Sequence, residues 1–425
     1  MELKLSERGF RKYCKDKKII CFGAGIMCKD AIEYLGIAEQ VLFVLDNDPH
    51  KQNTFVNVSG KSYKIYSVTD MPSPEDGTVL LITSKFFSDI AAQVQEADSI
   101  KKLELAIYPL LKQYTPRDKQ EYYEVRVIDS AMKIYREFCI GKKMDDLEIQ
   151  NRLQFFQKQI MMPDINGKIP FVMPRLVYIM SSVCNLNCRH CLALMPLYQN
   201  PSHVDVEILL RDIRKTLGSI DICAGIELIG GETFLYPELT SALKLILDNQ
   251  KVFSVILSTN GTVFPSPELI EQLKHPKIWI RISDYSISSK VRQVANHLSK
   301  AGIRYDLINT PEWKDGGGTD YRGKSTKTIE EEFFNCENAR VSKTIYKGKV
   351  FICPRSARLY SLGLYDSEQD YVDLRDDDDK SETQRKLLEM QLRDRADACQ
   401  YCDFGSLTPR PIPAGEQVEA KNDSH

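Results

Sequence analysis

Between residues 176 and 308, short apolar strands alternate with amphipathic helices, and this alternation limits the fold more than any other feature of the chain. The strands are predicted at residues 176–180, 226–229, 252–257 and 277–280. The helices are predicted at residues 206–217, 237–247, 267–273 and 289–301. Repeated strand–helix units form a parallel sheet, because parallel neighbours need a crossover connection. In such folds the functional residues lie at the carboxyl ends of the strands.

Three cysteines follow the first of these strands, in the run Cys184-Asn-Leu-Asn-Cys188-Arg-His-Cys191. Three thiolates at this spacing can hold three irons of a four-iron cluster and leave the fourth iron open to a reacting ligand. The alternatives are a zinc site with His190 as fourth ligand, or a chance grouping of cysteines. His190 has no spacer from Cys191, which is poor geometry for a shared tetrahedron.

Three more polar segments follow successive predicted strands. They are Gly230-Gly231-Glu232, Ser258-Thr259-Asn260-Gly261 and Arg281-Ile282-Ser283-Asp284. Each alone is an ordinary turn sequence. Their order at successive strand ends is what indicates one shared site.

With these motifs the chain resembles the radical S-adenosylmethionine (SAM) enzymes, from about residue 170 to residue 402. The resemblance implies an α/β fold with a partial (β/α)₆ barrel. It also implies that SAM binds the open iron, that an electron from the cluster cleaves it, and that the resulting 5′-deoxyadenosyl radical takes a hydrogen atom from the substrate.

The resemblance further implies roles for individual residues. The cluster ligands would be Cys184, Cys188 and Cys191. The SAM contacts would be Gly230, Gly231 and Glu232 at the amino group, Asn260 and Ser283 at the ribose or carboxylate, and His190 beside the adenine. Arg281 is either a carboxylate partner or part of a salt bridge inside the barrel. Asp284 is the candidate base for an oxidation, and Cys223 is the candidate thiol hydrogen donor for an epimerisation.

A second cysteine set comprises Cys336, Cys353, Cys399 and Cys402. The apolar residues around Lys347-Gly348 predict a β-hairpin, which would bring Cys353 back towards Cys336. The arrangement resembles the auxiliary-cluster extension called Twitch, a one-cluster relative of the SPASM domain. Four thiolates suit a fully ligated 4Fe–4S cluster that transfers electrons, so two such clusters and SAM are the expected cofactors. A structural zinc site is the alternative.

The first hundred residues predict a separate α/β unit. A strand at 18–22, the turn Gly23-Ala24-Gly25, a helix at 26–35 and a strand at 41–45 ending at Asp46 follow the Rossmann order. The third glycine position is Cys28, so the fingerprint is incomplete. The unit resembles Rossmann-like domains attached to bacterial sugar-modifying enzymes. It either binds a nucleotide or substrate moiety, or serves as a docking domain without a ligand.

The expected organisation has five parts. They are a Rossmann-like domain over 1–112, a helical linker over 113–169, a radical SAM partial barrel over 170–325, an auxiliary-cluster domain over 326–408 and a polar tail over 409–425. Apolar residues at helical spacing, Val127, Ala131, Ile134 and Phe138, predict a packed helix in the linker. The last dozen residues are expected to be disordered, and the acidic run 376–379 to be a solvated loop.

Composition limits the partners. The net charge of −2 gives no field that favours nucleic acid or an anionic membrane. No apolar run reaches the ~20 residues that span a bilayer, and no signal peptide is recognised. The twelve cysteines are sparse for a disulfide-rich secreted domain. We therefore expect a cytoplasmic enzyme with a flavodoxin- or ferredoxin-type electron donor, while the oligomeric state stays open.

The expected reaction is hydrogen-atom abstraction from a polar small molecule, a sugar, nucleotide-sugar or polysaccharide precursor, giving a dehydrogenated or an epimerised product. The Rossmann-like unit is the basis for this substrate class. One alternative is modification of a peptide or protein, although no leader-binding winged-helix domain is recognised. The other is a zinc-stabilised binding protein without catalysis.

Overall fold

The computed structural model describes residues 3, 7–58, 60–84, 86–111, 124–162, 170–375, 379–406 and 410–418. They fall into two compact units, Met1–Val125 and Arg126–His425. Outside the described residues lie 113–123 and 163–169 of the predicted linker, 376–378 of the acidic run and 419–425 of the tail. Among the helices that are described, none is long and apolar enough to cross a membrane.

The first unit is built on a six-stranded sheet with the order β3-β4-β2-β1-β5-β6. Its strands are β1 (Ile19–Phe22), β2 (Val41–Leu45), β3 (Phe55–Val58), β4 (Lys61–Tyr66), β5 (Val79–Ile82) and β6 (Glu104–Ile107). Only the β3–β4 pair is antiparallel. Its helices are α1 (Glu7–Tyr13), α2 (Ile26–Leu35), α3 (Phe87–Glu96) and α4 (Tyr108–Leu111).

Alternate residues of the central strands pack on opposite faces of this sheet. Ile19 and Cys21 belong to the apolar cluster that includes α2, whereas Ile20 and Phe22 belong to the cluster that includes α3. Covering on both faces explains why every residue of β1 and β5 is buried and apolar.

The second unit is built on an open eight-stranded sheet with the order β11-β10-β9-β8-β7-β13-β14-β15. The strands are β7 (Val172–Ile179), β8 (Ile222–Ile229), β9 (Val255–Thr259), β10 (Ile278–Asp284), β11 (Tyr305–Asn309), β13 (Ser342–Tyr346), β14 (Lys349–Phe351) and β15 (Tyr371–Asp373). Strands β7 to β11 are parallel, as predicted, and β13 adds to β7 in the same direction. The carboxyl ends of these strands therefore meet at one edge.

Helices cover this sheet. They are α5 (Asp129–Gly141), α6 (Asp146–Met161), α7 (Val206–Gly218), α8 (Leu239–Leu247), α9 (Pro267–Leu273), α10 (Lys290–Lys300), α11 (Thr326–Asn335), α12 (Glu337–Val341), α13 (Pro354–Ser361) and α14 (Lys380–Gln391). The helices α7 to α10 confirm the predicted alternation within two residues at each end. Asp205 caps α7 by accepting from the backbone N–H of Glu207 and Ile208.

The predicted hairpin around Lys347-Gly348 is confirmed as the antiparallel pair β13–β14. Both turn residues have positive φ, 46° at Lys347 and 83° at Gly348, as a type I′ turn requires. The Gly348 N–H donates to Asp212 Oδ2 at 2.7 Å. The hairpin is thereby fixed to α7.

Helix α5 packs against the second unit's own sheet. The predicted apolar residues Val127, Ala131, Ile134 and Phe138 are all buried. Ile134 leaves no room for a side chain at position 225 of β8, because a Cβ there would lie 2.9 Å from its Cγ2. The Lys142 ammonium donates to the Ile278 carbonyl at 2.8 Å.

The expectation of a disordered end is corrected for residues 414–418, which are placed by hydrogen bonds to the rest of the second unit. They follow strand β16 (Pro411–Pro413), which pairs antiparallel with β12 (Glu312–Lys314). The sequence showed only a polar, proline-containing segment there, and the pairing partner lies about a hundred residues earlier.

Candidate active site

The loop with the first three cysteines begins where β7 ends. The Val183 N–H donates to Ser181 Oγ at 2.9 Å, and the Val183 carbonyl accepts from the Glu232 N–H at 2.9 Å. Burial raises the pKa of the Cys184 thiol to about 11, and the charges of Cys191 and Cys188 raise it further. Cys188 and Cys191 thus interact electrostatically with Cys184, as expected for ligands of one group.

The two glycines after β8 let the ends of β7 and β8 touch. A Cβ on Gly231 would lie 2.3 Å from the Val183 carbonyl oxygen and 2.6 Å from Cys184 Cβ. A Cβ on Gly230 would meet Ser181 Cβ at 3.2 Å. Only glycine fits at position 231, because any side chain would displace the backbone before the first cysteine.

Glu232 holds the ends of β8 and β9 together. Its carboxylate is 1% exposed and accepts three hydrogen bonds, from the Phe234 N–H at 3.0 Å, Thr259 Oγ1 at 2.6 Å and the Asn260 N–H at 2.8 Å. Burial raises its pKa, and these donors oppose the rise. The predicted contact of this side chain with the SAM amino group stays a prediction.

Asn260 fixes the middle of the cysteine loop. Its Nδ2 donates to Asn185 Oδ1 at 3.0 Å, and its Oδ1 accepts from the Thr262 N–H at 2.9 Å. Asn185 in turn donates to Thr262 Oγ1 at 2.6 Å. Sequence reasoning missed Asn185 and Thr262, although both adjoin motifs that it had found.

The end of β10 carries the third predicted segment. The Asp284 Oδ1 atom accepts from the Ser286 N–H at 2.8 Å, which caps a turn with φ of 59° at Ser286. The Arg281 guanidinium lies 5.5 Å from the Trp279 ring centroid. Its two predicted roles, a carboxylate partner or a salt bridge inside the barrel, stay predictions.

Tyr285 is a site residue that the sequence reasoning missed. Burial raises its pKa to about 12, a hydrogen bond with Ser283 opposes this, and the charges of Cys188 and Cys191 add to it. Its ring packs edge-to-face on Trp313, with centroids 5.3 Å apart. The only signal for it was its place directly after the Arg-Ile-Ser-Asp segment.

Two other predicted residues have different surroundings. His190 is exposed, next to Cys191 in the loop. Cys223 is not brought to the site, because it lies at the start of β8, about 20 Å along the strand from its carboxyl end. It is fully buried, and its Sγ donates to the Gly225 carbonyl at 3.3 Å. Its predicted role as hydrogen donor is therefore corrected.

The second cysteine set surrounds a cavity of about 80 Å³. Cys336 follows α11, Cys353 caps α13, and the other two lie in and after the helical turn Asp397–Tyr401. Burial raises the pKa of Cys336 to about 12, with further increments from Cys402 and Cys353.

The donor chemistry of both sets fits iron–sulfur clusters. Soft thiols are the ligands that such clusters use. Burial raises the thiol pKa values of Cys184, Cys188, Cys336, Cys353, Cys399 and Cys402, so a bound cation is needed to keep these sulfur atoms ionised at neutral pH. In the described part of the chain, no three His, Cys, Asp or Glu side chains are grouped as a site for a single metal ion.

Arg358 connects the two cysteine sets. It lies on α13, which begins at Cys353, and it is 2% exposed. Its guanidinium donates to the Gly230 carbonyl at 3.0 Å and to the Ser181 carbonyl at 3.3 Å. No sequence pattern marks Arg358, since an arginine in a short polar helix is usually solvated.

Comparison with known proteins gives a family and several similar folds. The family model described as Radical SAM superfamily matches residues 178–304. The solved structure of anSMEcpe with bound AdoMet is similar, at 15% identity and TM-score 0.36, over 55% of this chain and 83% of that one. SuiB of Streptococcus suis bound to S-adenosylmethionine is 14% identical with a TM-score of 0.27, over 60% of this chain and 50% of that one. BtrN in complex with AdoMet and 2-DOIA is 14% identical with a TM-score of 0.34, over 57% of this chain and 94% of that one.

The search of curated protein sequences found no match. Residues 178–304 are therefore similar to the domain that defines the radical SAM superfamily. Members of this superfamily use a 4Fe–4S cluster and SAM. The cysteine loop after β7 lies inside the matched segment.

Proposed function

We propose that this chain is a radical SAM enzyme with one auxiliary cluster, which removes a hydrogen atom from a sugar, a nucleotide-sugar or a polysaccharide precursor. The observation that carries the proposal is the convergence of the cysteine loop with Gly231, Glu232 and Asn260 at the ends of three neighbouring parallel strands. The product is either dehydrogenated or epimerised.

The chain's own residues position the reacting groups. Cys184, Cys188 and Cys191 hold the catalytic cluster, which with SAM supplies the radical chemistry when bound. Gly231 allows the loop to lie against β8, and Glu232 and Asn260 fix the neighbouring strand ends. These contacts keep the cluster side of the site in one geometry, which is what orientation of a reactive cofactor requires.

The auxiliary set serves electron transfer. Cys336, Cys353, Cys399 and Cys402 would hold a fully ligated cluster, which would supply electron-transfer chemistry in the route to an oxidised alcohol. The Arg355 guanidinium lies beside this cavity and donates to the Gly318 carbonyl at 2.8 Å. Asp284, at the end of β10, takes the proton in that route. The proposed electron donor is a flavodoxin- or ferredoxin-type protein.

The first experiment tests the cluster sites. The full chain is reconstituted anaerobically and treated with SAM and dithionite, and 5′-deoxyadenosine is measured by mass spectrometry. We expect about eight irons per chain in the native sequence, and about four in either Cys188→Ser or Cys353→Ser. Only Cys188→Ser should lose 5′-deoxyadenosine formation.

The matched control is Cys139→Ala, because Cys139 is buried on α5 outside both sets. It should keep its iron and its 5′-deoxyadenosine formation. Bound zinc without iron and sulfide would contradict the proposal and favour a zinc-stabilised binding protein.

The second experiment tests the substrate class. Candidate nucleotide sugars and short peptides are added to the reconstituted enzyme in deuterated water. Consumption of a nucleotide sugar with deuterium incorporated indicates epimerisation, and a loss of two mass units indicates dehydrogenation. Consumption of a peptide without any effect on sugars would overturn the proposed substrate.

A further inference from the structure

The segment at residues 414–418, here called the C-terminal strap, runs along the catalytic cysteine loop. The Arg189 N–H donates to the Glu416 carbonyl at 2.8 Å, and the Val418 N–H donates to the Asn187 carbonyl at 2.8 Å. Asn187 Nδ2 also donates to the Val418 carbonyl at 3.0 Å. The residues on both sides of Cys188 are therefore bonded to the strap, in an antiparallel bridge centred on Cys188 and Gln417.

The strap is anchored at its other end. The Ala414 N–H donates to the Pro311 carbonyl at 3.0 Å, directly after the β12–β16 pair. Gly415 has a φ of +72°, and a Cβ there would lie 2.6 Å from Tyr285 Cβ. A glycine at this position lets the chain pass close over Tyr285 and reach the loop.

Gln417 is oriented on both sides of its amide group. Its Oε1 accepts from the Asn187 N–H at 2.8 Å, so the oxygen position is fixed by a backbone donor. The NH₂ group must then face the other way, where it donates to the Gly415 carbonyl at 2.7 Å and to Cys188 Sγ at 3.1 Å. The N–H···S contact thus follows from the backbone bonds around it.

A donor on a cluster-ligating sulfur has a definite electrical effect. It withdraws charge from the sulfur and stabilises the more negative, reduced state of the cluster. A neutral amide is suited to this task, because it adds a donor without adding a charge.

We propose that Gln417 is a positioning residue for Cys188, and that its N–H···S bond raises the reduction potential of the catalytic cluster. The inference rests on the proposed function in assuming that Cys188 ligates this cluster. The reduction potential of the catalytic cluster then depends on a residue of the strap that lies 229 positions from Cys188 in sequence.

The test compares two neighbouring variants of the full chain. Gln417→Glu keeps the acceptor for Asn187 and removes the donor to Cys188. Glu416→Gln is the control, because it alters only the partly exposed ion pair with Arg189 and keeps the backbone bonds. The cluster is titrated anaerobically and followed by electron paramagnetic resonance, and its signal is identified by the change on adding SAM.

We expect Gln417→Glu to lower the ratio of reduced to oxidised cluster at a fixed potential about tenfold, which is about 59 mV for one electron. Glu416→Gln should leave the potential unchanged. If Gln417→Glu does not retain iron, the uncharged variant Gln417→Met replaces it with the same expected direction. An unchanged potential, or an equal shift in the control, would overturn the proposal.

A second measurement separates this inference from the proposed function. Hydrogen exchange is followed in the metal-free protein at the Asn187 and Arg189 amides, which the strap protects. Gly415→Ala should accelerate exchange at both amides at least about tenfold, because the Cβ displaces the strap. Slow exchange in this variant would contradict the binding of the strap to the catalytic loop, even if the native protein binds iron. Failure of the native protein to bind iron would contradict the proposed function, and with it the effect of Gln417 on the potential, but not the position of the strap.

Discussion

Gly231 is the position at which a single methyl group has the clearest consequence. Gly231→Ala places a Cβ 2.3 Å from the Val183 carbonyl oxygen, so the backbone before Cys184 must move. We expect the variant to lose about 1–3 kcal/mol of stability and at least half of the iron bound at the catalytic loop. Urea unfolding and iron analysis after reconstitution measure the two effects.

Gly218→Ala is the matched control for this prediction. Gly218 ends α7, and an added Cβ there meets no atom within 4 Å. Its stability should rise by less than about 1 kcal/mol, with iron uptake unchanged. Normal iron uptake by Gly231→Ala would show that the loop does not need the close approach.

Lys343 gives a prediction about pH. Its side chain on β13 is 1% exposed, and its ammonium donates to the Ala339 carbonyl at 2.9 Å. Burial, aided by the charge of Arg126, lowers the pKa of Lys343 from 10.5 to about 7 in the folded metal-free protein. Below pH 7 the lysine is charged in the folded and the unfolded state, and its burial then lowers the free energy of unfolding most. Between pH 7 and 10.5 this destabilisation decreases, because the folded protein has released the proton that the unfolded chain still binds.

Lys343→Met should therefore stabilise the metal-free protein by about 1 kcal/mol or more at pH 7, and by less as the pH rises towards 10. Denaturant unfolding at several pH values measures the difference from the native sequence. The exposed Lys300→Met should show no such trend. A stabilisation by Lys343→Met that increases with pH would contradict the lowered pKa of Lys343.

The candidate cluster ligands could be named from the sequence, but the residues that support them could not. Cys184, Cys188, Cys191 and the glycines are defined by neighbours within a few residues, so their spacing carries the signal. Gln417 contacts Cys188 across 229 residues, and no local pattern marks such a contact. The contact of Glu232 with SAM stays a prediction, and the sequence could not show that its carboxylate accepts three hydrogen bonds within the protein.

The β13–β14 hairpin depends on a buried carboxylate of α7. Asp212 is 2% exposed, accepts from the Gly348 N–H at 2.7 Å and is also bonded to Arg211 at 2.9 Å. Asp212→Ala leaves the Gly348 N–H without its acceptor, so we expect a loss of about 1–3 kcal/mol. Because the hairpin leads into Cys353, iron retention at the auxiliary set should fall as well.

Urea unfolding and iron analysis measure both effects of Asp212→Ala. Glu271→Ala is the control, since it removes a largely exposed ion pair with Lys274 and should cost less than about 0.5 kcal/mol. Full iron retention in Asp212→Ala would show that the hairpin holds its position without this contact.

Element prediction succeeded where periodicity extends over several residues. The helices α7 to α10 repeat apolar residues every three or four positions, and the turn at Lys347-Gly348 has a local conformational signature. The β12–β16 pair joins two segments of three residues each. Segments that short carry no measurable period, so only their tertiary contacts define them.

The division into two units leads to a prediction about truncation. A chain of residues 124–425 retains α5, whose Tyr135 ring packs on Phe156 at 4.7 Å, while Phe156 packs on Phe253 at 4.6 Å. We expect this chain to fold and to bind iron. A chain that begins after residue 142 loses α5 and exposes the apolar surface beneath it, so it should aggregate or unfold.

Circular dichroism and size-exclusion chromatography distinguish the two truncations. A well-folded chain beginning after residue 142 would mean that α5 is dispensable. Failure of both truncations would mean that the second unit needs the first for its stability.

Helix α13 has a consequence for how the protein matures. Cys353 caps its first turn, and the Arg358 guanidinium donates a hydrogen bond to the Gly230 carbonyl beside the catalytic loop. Metal inserted at one end of this eight-residue helix restrains the other end. Loading of the two centres is therefore expected to be cooperative, so that half-filled molecules are scarce when iron is limiting.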